Sequence, residues 1–261
     1  MFGCGILCTI RNCAPFLPKI FENFEKIGEI FNGNYIVILY YDTSSDETLP
    51  MIQTYAHKNP KVVFYVNQES PLSPYRTHRI AKGRNFVLEK FRSEYSSYDF
   101  FVVMDCDNVC SYNLKTQLLR NCLTRNDWDM ISFQHPNGYY DIYALSTYPF
   151  LLNCFLFKNH NLAKGSLVKQ LQKGRKNHLT YVLSAFNGFA IYRTRKFENC
   201  NYDGTPRYDY IPRKWIDDNI RAAGPIIISN GKEECEHRFF HISALLRNKA
   251  RISILPQTIF F

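Results

Sequence analysis

The 261-residue sequence lacks several features that would assign it to a specialised class of protein. It has no apolar run of about 18 residues, which is the length that a membrane-spanning helix needs. No basic stretch precedes an apolar core at the N-terminus, so we expect no signal peptide. It also has no internal repeat and no low-complexity linker. The sequence therefore predicts one α/β domain over residues 1–261 without a transmembrane segment.

The cysteines lack the spacing of a metal site or of a disulfide framework. They are nine in number, and no CxxC pair occurs among them. Zinc sites and small disulfide-bonded proteins usually show paired cysteines. We therefore expect buried, reduced thiols and a soluble, cytoplasmic protein, because the cytosol keeps thiols reduced.

The sequence also lacks a block of like charges, although its formal net charge is +9. A basic surface favours anionic partners such as nucleic acid, acidic lipid or a diphosphate ligand. Aromatic residues make up 16% of the chain, which suits both a core of large side chains and stacking on bases or sugar rings. Composition alone therefore leaves several partner classes open.

What the sequence does contain is an alternation of strand and helix patterns over about residues 1–110. Continuous apolar runs predict strands, and apolar residues at helical spacing predict helices. Continuous runs indicate strands covered on both faces, as in a mostly parallel, doubly wound α/β sheet. The predicted strands are 5–9, 35–41, 62–66 and 99–104, and the predicted helices are 15–28, 51–58 and 75–91.

The second half, about residues 111–261, is less regular and predicts an elaborated continuation of this Rossmann-like first half. Segment 139–145 is predicted as a loop or strand. The other predicted elements are strands 129–133, 186–192 and 226–229, and helical stretches 151–172, 215–223 and 235–249.

An acidic turn, Asp105-Cys106-Asp107, follows the fourth predicted strand. Thr9, Arg11 and Asp42 lie at the carboxyl ends of other predicted strands, and ligands of such sheets bind beyond these ends. Two carboxylates two residues apart can share Mg²⁺ or Mn²⁺, which prefer oxygen ligands and bridge to phosphates. The alternative is an acidic turn that only caps the next helix.

The helix predicted over 75–91 carries Arg84 inside its apolar stripe. An unpaired buried guanidinium is costly, so Arg84 needs a carboxylate or a phosphate as its partner. We expect that partner to be Asp105 or the diphosphate of a ligand, with Arg79 on the flank of the helix. The alternative is a structural ion pair that involves no ligand.

Two histidines near the C-terminus, His237 and His241, are four residues apart and share one helical face. Either imidazole can complete a metal site, whereas the zinc-protease motif HExxH is absent. Glu236 lies at a helix start, where capping alone is an alternative explanation.

Asp141 lies among tyrosines, which stack on the apolar faces of sugar rings. A surface hairpin with ordinary cross-strand tyrosine packing is the alternative. Asn187-Gly188, just before Phe189, predicts a tight turn that lets the backbone approach a ligand closely.

Taken together, these residues resemble the GT-A class of glycosyltransferases. Within that class the sequence is similar to the fungal capsule-associated α-1,3-mannosyltransferase family. The matching pieces occur in the expected order: Arg79-Ile80-Ala81 with Arg84-Asn85, Val103-Met104-Asp105-Cys106-Asp107, Tyr140-Asp141-Ile142-Tyr143-Ala144-Leu145, Asn187-Gly188-Phe189-Ala190-Ile191-Tyr192-Arg193, and Cys235-Glu236-His237.

The resemblance implies a role for each of these residues. Asp105, Asp107 and His237 would hold Mn²⁺ or Mg²⁺, and Asp105, Asp141 and Glu236 are the implied catalytic residues. The residues implied to bind the nucleotide-sugar are Thr9, Arg11, Asn12, Asp42, Arg79, Arg84, Asn85, Asp105, Cys106, Asn187 and Gly188.

The implied function is metal-dependent transfer of a hexose-type sugar from a GDP- or UDP-linked donor to a hydroxyl of a glycan acceptor, bound by the second half. Glu236-His237 departs from the Glu-Asp pair that many inverting members carry. A base role for Glu236 and the choice between inversion and retention therefore stay open. The expected absence of a membrane anchor would also depart from the fungal members.

Two other functions explain part of the pattern. A sugar-phosphate nucleotidyltransferase also uses an α/β sheet, carboxylates and Mg²⁺, but usually has a Gly-rich loop where this chain has Arg11-Asn12-Cys13. A non-enzymatic nucleic-acid-binding module explains the basic charge and the aromatic content. It leaves the acidic turn and Arg84 unexplained, so we expect no nucleic-acid partner.

Overall fold

The computed structural model describes residues 2–68, 72–136, 138–158, 160–172, 178–226 and 231–261. In the first half, strands and helices alternate without exception. These elements are β1 (Cys4–Ile10), α1 (Leu17–Ile30), β2 (Tyr35–Tyr41), α2 (Thr48–Lys58), β3 (Val62–Val66), α3 (Arg76–Glu94) and β4 (Phe100–Met104).

The second half adds four helices and four strands within the described residues, together with short 3-10 helices at Cys154–Leu156 and Thr194–Lys196. Its longer elements are α4 (Thr116–Leu123), β5 (Met130–Gln134), α5 (His160–Gln172), β6 (Thr180–Val182), β7 (Phe189–Arg193), α6 (Arg213–Ala223), α7 (Glu236–Asn248) and β8 (Ile252–Thr258).

The eight described strands form one sheet in the order β3-β2-β1-β4-β7-β5-β8-β6. Six of them run in one direction, whereas β6 and β7 are antiparallel to their neighbours. The chain adds β2 and β3 on one side of β1 and then crosses to place β4 on the other side. This reversal of strand order lies between β1 and β4, where ligands of open α/β sheets bind.

Helices cover both faces of the sheet because its central strands are apolar on both sides. Every residue of β2 and β4 is buried. On one face α1 packs through Leu17, Ile20, Phe24 and Ile27, which recur at helical spacing. The other face is covered by a second apolar cluster that includes residues of α3 and α7. The strands are thereby held rigidly, with their carboxyl ends aligned at one edge.

Helix α3 lies unusually close to β1 and β2 at Gly83. A Cβ atom at this position would lie 2.7 Å from Cδ1 of Tyr40 and 2.8 Å from Cγ2 of Thr9. Such distances are too short for non-bonded carbon atoms, so glycine permits this approach. Arg84, the next residue, is consequently brought to the carboxyl end of the sheet.

The predicted α/β architecture is confirmed, and the strands and helices of the first half occur where the apolar patterns placed them. The second half needs corrections. The single helix predicted over 151–172 is a 3-10 helix followed by α5, because the side chain of Asn153 accepts the N–H of Phe155 and caps a short turn. The prediction named no element at α4, β6 or β8.

Three further boundaries differ from the sequence prediction. Strand 186–192 starts later, at Phe189, because Asn187 and Gly188 have positive φ angles of 65° and 85° and form a turn. The predicted helix 215–223 starts at Arg213. In the predicted strand 226–229, Ile226 forms an isolated bridge with Phe157, and residues 227–230 lie outside the described residues.

All nine cysteines are free and buried, as the sequence predicts. Within the described residues, no helix combines the length and the apolar character that crossing a bilayer requires.

Candidate active site

A cavity of about 490 Å³ opens at the carboxyl edge of the sheet, and its lining includes residues that end or follow β1, β2 and β4. Its size is typical of small-molecule sites. Most of the predicted site residues line it: Thr9, Arg11, Asp42, Arg79, Arg84, Asp105, Cys106, Asp107, Asp141, Glu236 and His237.

Arg84 is buried and contacts two carboxylates from distant parts of the chain. Its Nη2 donates a hydrogen bond to Oδ1 of Asp105 at 3.1 Å. Its Nε lies 3.1 Å from Oε1 of Glu236, an ion pair in which the N–H does not point at the oxygen. The expected contact with Asp105 is therefore present, and Glu236 is a second partner that the sequence did not predict.

Two aromatic rings flank the same guanidinium. The Cζ atom of Arg84 lies 4.8 Å from the ring centroid of Phe186 and 5.8 Å from that of Tyr202. Burial lowers the pKa of Arg84, but the carboxylates of Glu236 and Asp105 outweigh it, so the pKa is raised. Arg84 is thus a permanent positive charge held between β4 and α7.

The two aspartates of the acidic turn have different surroundings. Burial raises the pKa of Asp105 to about 7, with smaller upward contributions from Asp107, Asp141 and Glu236, while Arg84 opposes the rise. Oδ1 of Asp107 accepts the backbone N–H of Val109 at 3.0 Å, which closes the turn after β4. The first aspartate therefore belongs to the Arg84 network, and the second shapes the loop that lines the cavity.

His237 lines the cavity from the first turn of α7. Its ring stacks on Phe186 with the centroids 3.9 Å apart, and neither ring nitrogen has a hydrogen-bond partner among the described residues. Burial lowers the pKa of His237 well below its usual value, and the nearby Arg84 charge adds to this effect. The imidazole is therefore neutral, with a lone pair that no protein group uses.

His241, the other predicted metal-ligand candidate, has a structural role instead. One of its ring nitrogens is 3.1 Å from the Ser184 hydroxyl, and the other is 3.1 Å from the Tyr192 hydroxyl. Both nitrogens are therefore already hydrogen-bonded. Of the two histidines, His237 is the one that faces the cavity.

Asp141 reaches the cavity on a turn that Asn187 holds in place. The side-chain oxygen of Asn187 accepts the backbone N–H groups of Tyr140 at 3.0 Å and Asp141 at 3.2 Å, and its amide donates to the Phe133 carbonyl at 2.9 Å. Burial raises the pKa of Asp141, although hydrogen bonds from Ala144 and Asn187 oppose this.

Asp42 stands at the end of β2 with two arginines nearby. Its Oδ2 lies 3.8 Å from Arg11 and 3.7 Å from Arg79, and its Oδ1 accepts a hydrogen bond from Asn67 at 3.0 Å. Arg76 also lines the cavity. The cavity therefore combines four arginines with five carboxylates, from Asp42, Asp105, Asp107, Asp141 and Glu236.

Residues 6–200 of the chain match the family "Glycosyl transferase family 2". This chain belongs to that family. No curated protein sequence matches this chain. The match confirms that the chain is a glycosyltransferase, whereas the finer resemblance to the fungal mannosyltransferases is not tested by it and stays a prediction.

Solved structures show the same fold. The chain is similar to S. aureus TarS, with a TM-score of 0.53 and 14% identity, covering 99% of this chain and 36% of that one. It is also similar to S. aureus TarS 1-349 in complex with UDP, with a TM-score of 0.53 and 13% identity, covering 99% and 59% of the two chains. This glycosyltransferase thus spans less than two thirds of these solved chains, and the predicted GT-A-like fold is confirmed.

Four residues predicted to bind the nucleotide-sugar do not line the cavity of this family 2 glycosyltransferase: Asn12, Asn85, Asn187 and Gly188. They organise the backbone instead. The side chain of Asn85 exchanges two hydrogen bonds with the backbone of Tyr202, and that of Asn12 accepts the N–H of Ser45. A Cβ atom at Gly188 would lie 2.5 Å from Val109, so glycine lets the acidic turn approach β7.

Cys106, which was predicted to bind the nucleotide-sugar, lines the cavity of this glycosyltransferase, but its side chain is buried. Burial raises the pKa of the thiol well above its usual value, with the neighbouring Cys8 contributing. The Cys106 thiol is therefore neutral, and it packs beneath the two aspartates.

The sequence did not predict several lining residues, above all Tyr40 and Phe186. The sequence predicted Phe186 as part of a strand. The Asn187-Gly188 turn follows it directly, and strand pairing ends at such a turn. This position is the signal that would have placed Phe186 at the site.

The donor atoms of this glycosyltransferase fit a divalent cation bound together with a nucleotide. Among the described residues, no three His, Cys, Asp or Glu side chains are arranged to hold a metal ion by themselves. Nucleotide-bound Mg²⁺ usually needs only one or two carboxylates, because phosphates and water supply the other ligands. Asp105, Asp107 and the unpaired imidazole of His237 line the same cavity.

Proposed function

We propose that this chain transfers a hexose-type sugar from a GDP- or UDP-linked donor to a hydroxyl of a glycan, in a metal-dependent reaction. The observation that carries the proposal is the placement of Asp105 and Asp107 in one cavity with Arg84 at the point where the strand order reverses. The resemblance to the fungal mannosyltransferases favours mannose as the sugar.

The arginines of the cavity suit the diphosphate of such a donor. Arg11 and Arg79 line it beside Asp42, Arg76 is a further lining residue, and planar guanidinium groups recognise phosphate oxygens through paired hydrogen bonds. Asp42 holds Arg11 and Arg79 by ion pairs longer than 3.5 Å, and Nη1 of Arg79 donates to the Ser73 carbonyl, so the remaining N–H groups stay available to a ligand. In this proposal the base and ribose bind beside Thr9 and Asp42.

Asp105, Asp107 and His237 are the residues that would hold Mn²⁺ or Mg²⁺. When bound, the cation would neutralise negative charge that develops on the departing diphosphate. Arg84 keeps Asp105 oriented towards the cavity, and the N–H of Val109 orients Asp107. Such fixed charges contribute strongly to catalysis because they need no rearrangement during the reaction.

Asp141 and Glu236 are the candidates for contact with the acceptor hydroxyl. Both line the cavity, and burial raises the pKa of each carboxyl group. Glu236 is held by Arg84, whereas Asp141 is held only by N–H groups of the backbone. Asp141 is therefore the freer proton acceptor, and a retaining reaction would need neither group as a base.

The first experiment measures thermal stabilisation by UDP, GDP, CDP and their sugars, with and without Mn²⁺. A ligand that binds only the folded state raises the unfolding temperature, because it stabilises that state by RT ln(1 + [L]/Kd). We expect stabilisation by UDP or GDP compounds that depends on Mn²⁺. The absence of stabilisation across the whole panel would refute the proposal.

The second experiment separates glycosyl transfer from nucleotidyl transfer, which is the alternative reaction for a cavity of this type. With a nucleotide-sugar the proposed reaction releases a nucleoside diphosphate, whereas nucleotidyl transfer run in reverse consumes added pyrophosphate and yields a nucleoside triphosphate and a sugar phosphate. We expect nucleoside diphosphate to appear and Asp107→Ala to abolish its release. Asp209→Ala, on the exposed surface, is the matched control that should retain full turnover.

A further inference from the structure

The net positive charge of the chain comes from one long segment that lacks acidic residues. Residues 142–197 contain nine lysines and arginines and no Asp or Glu, so this segment alone equals the formal net charge of +9. The rest of the chain is therefore balanced between the two signs. A charge distribution this uneven creates a local field that a uniformly basic surface does not have.

Within the described residues, the middle of this segment forms the 3-10 helix Cys154–Leu156 and helix α5, which pack together. Lys158, Lys164 and Lys169 are all exposed there. None of the three takes part in the arginine and carboxylate network of the cavity. The glycosyl-transfer chemistry proposed above leaves these charges without a role.

Two apolar side chains of this region are exposed, Phe155 to 50% and Ile226 to 37%. Phe155 precedes Lys158 by three residues, and Ile226 forms a β-bridge with Phe157, the residue before Lys158. The Phe155 ring also contacts the His160 ring, with centroids 6.1 Å apart, which connects it to the start of α5.

We propose that this basic patch, formed by Phe155, Lys158, Lys164, Lys169 and Ile226, binds the surface of a membrane that contains anionic lipids. Lysines near such a surface are attracted by its negative potential, and aromatic or aliphatic side chains enter the boundary between headgroups and acyl chains. The patch combines both elements on a protein that has no bilayer-spanning helix among its described residues.

Duplex nucleic acid would use the lysines but would leave Phe155 and Ile226 in water, because its bases are already stacked on each other. The apolar pair favours a lipid surface, because the boundary between headgroups and acyl chains takes up aromatic and aliphatic side chains together. The proposal does not depend on the identity of the sugar donor, and its test needs no transfer activity.

The test is co-sedimentation of the chain with phosphatidylcholine vesicles, with and without phosphatidylserine. We expect binding only to the vesicles that contain phosphatidylserine, and weaker binding as salt is raised. Neutralising Lys158, Lys164 and Lys169 together by Lys→Gln should weaken binding by roughly a hundredfold, since each lysine near the surface contributes about fivefold. Phe155→Ser should weaken it by roughly tenfold.

The matched control replaces Lys26, Lys58 and Lys61 by Gln. These lysines lie on α1, on α2 and just before β3, so the control changes the net charge as much as the test variant does, but outside the basic patch. The control should bind as the unchanged protein does, and circular dichroism should show all variants folded. Equal loss of vesicle binding in both triple variants would overturn the proposal, and so would equal binding to neutral vesicles. A Phe155→Ser variant whose vesicle binding is unaffected, and which binds duplex DNA as tightly as vesicles, would overturn it as well.

Discussion

The carboxylate of Glu233 accepts the backbone N–H of Thr77 at 3.0 Å and thereby caps the first turn of α3 from a loop 156 residues further along the chain. The hydrogen bonds from Thr77 lower the pKa of Glu233 although partial burial opposes this. Helix α3 carries Arg79 and Arg84, and Glu233 precedes α7, which carries Glu236 and His237. The Glu233 carboxylate therefore connects two helices that carry charged side chains of the cavity, α3 and α7.

Glu233→Ala should destabilise the fold by about 1 kcal/mol, as the loss of other N-terminal caps does. Because the first turn of α3 is then held less firmly, donor affinity should fall as well. The measurements are urea unfolding and titration with nucleoside diphosphate. Glu89→Ala on the exposed face of the same helix is the control, and equal effects of the two changes would contradict a capping role.

Arg84→Met should cost about 3 kcal/mol of unfolding free energy, because it leaves the buried carboxylate of Glu236 and the partly buried carboxylate of Asp105 without their cation. Adding Glu236→Gln to this variant should recover part of the loss, since it removes one unpaired charge. Urea unfolding of the single and double variants measures the coupling. Arg92→Met is the control, because Arg92 donates to backbone carbonyls of Phe197 and Cys200 rather than to carboxylates.

Asn187→Gly should reduce turnover while leaving donor affinity unchanged. Glycine keeps the positive φ of this position but removes the amide that orients the Asp141 turn. Misplacement of a reacting group commonly lowers the rate on the order of 10-fold to 100-fold. Turnover and nucleotide binding are measured side by side, and Asn199→Gly, at φ 57°, is the matched control. An unchanged turnover would show that Asp141 does not need this support.

We expect the free energy of unfolding to fall in acid, because Asp129 loses its charge there. Arg251 approaches both of its oxygens, at 3.0 Å and 3.3 Å. Burial opposes ionisation, but the Arg251 hydrogen bonds outweigh it and lower the pKa of Asp129. Since the folded pKa lies below the unfolded value of about 3.9, the contribution is complete above that pH and is lost as the pH falls through the folded pKa.

The comparison for this prediction is Asp129→Asn, which cannot ionise. Its deficit in unfolding free energy relative to the unchanged protein should be constant near neutral pH and should shrink below about pH 4. Urea unfolding at a series of pH values provides the measurement. A deficit that stays constant down to the lowest pH would show that the Asp129 charge does not stabilise the fold.

The sequence predicted the first half of the fold well because its elements are specified locally. Strands β2 and β4 are unbroken apolar runs, and α1 shows its stripe in fourteen consecutive residues. Strand β8 was missed because Pro256 interrupts its apolar pattern, and β6 has only three residues. Short or interrupted elements are defined by pairing with strands that are distant in sequence.

The candidate site shows the same division. The partnership of Arg84 with Asp105 was predictable, because a buried arginine requires an anion and the acidic turn was the nearest one. The second partner, Glu236, and the hydrogen bonds of Asn187 were not predictable, because they join residues 152 and 46 positions apart. Sequence patterns identify a residue that needs a partner, but the tertiary fold selects that partner.

The burial of the nine thiols has a practical consequence for measuring the opening of this protein. Burial raises the pKa of Cys13 and of Cys122 to about 12, so these thiols are neutral and shielded from reagents in the folded state. A thiol-labelling reagent can therefore modify the chain only when its core opens. The cysteines distributed from β1 to the start of α7 act as built-in reporters of which region opens first.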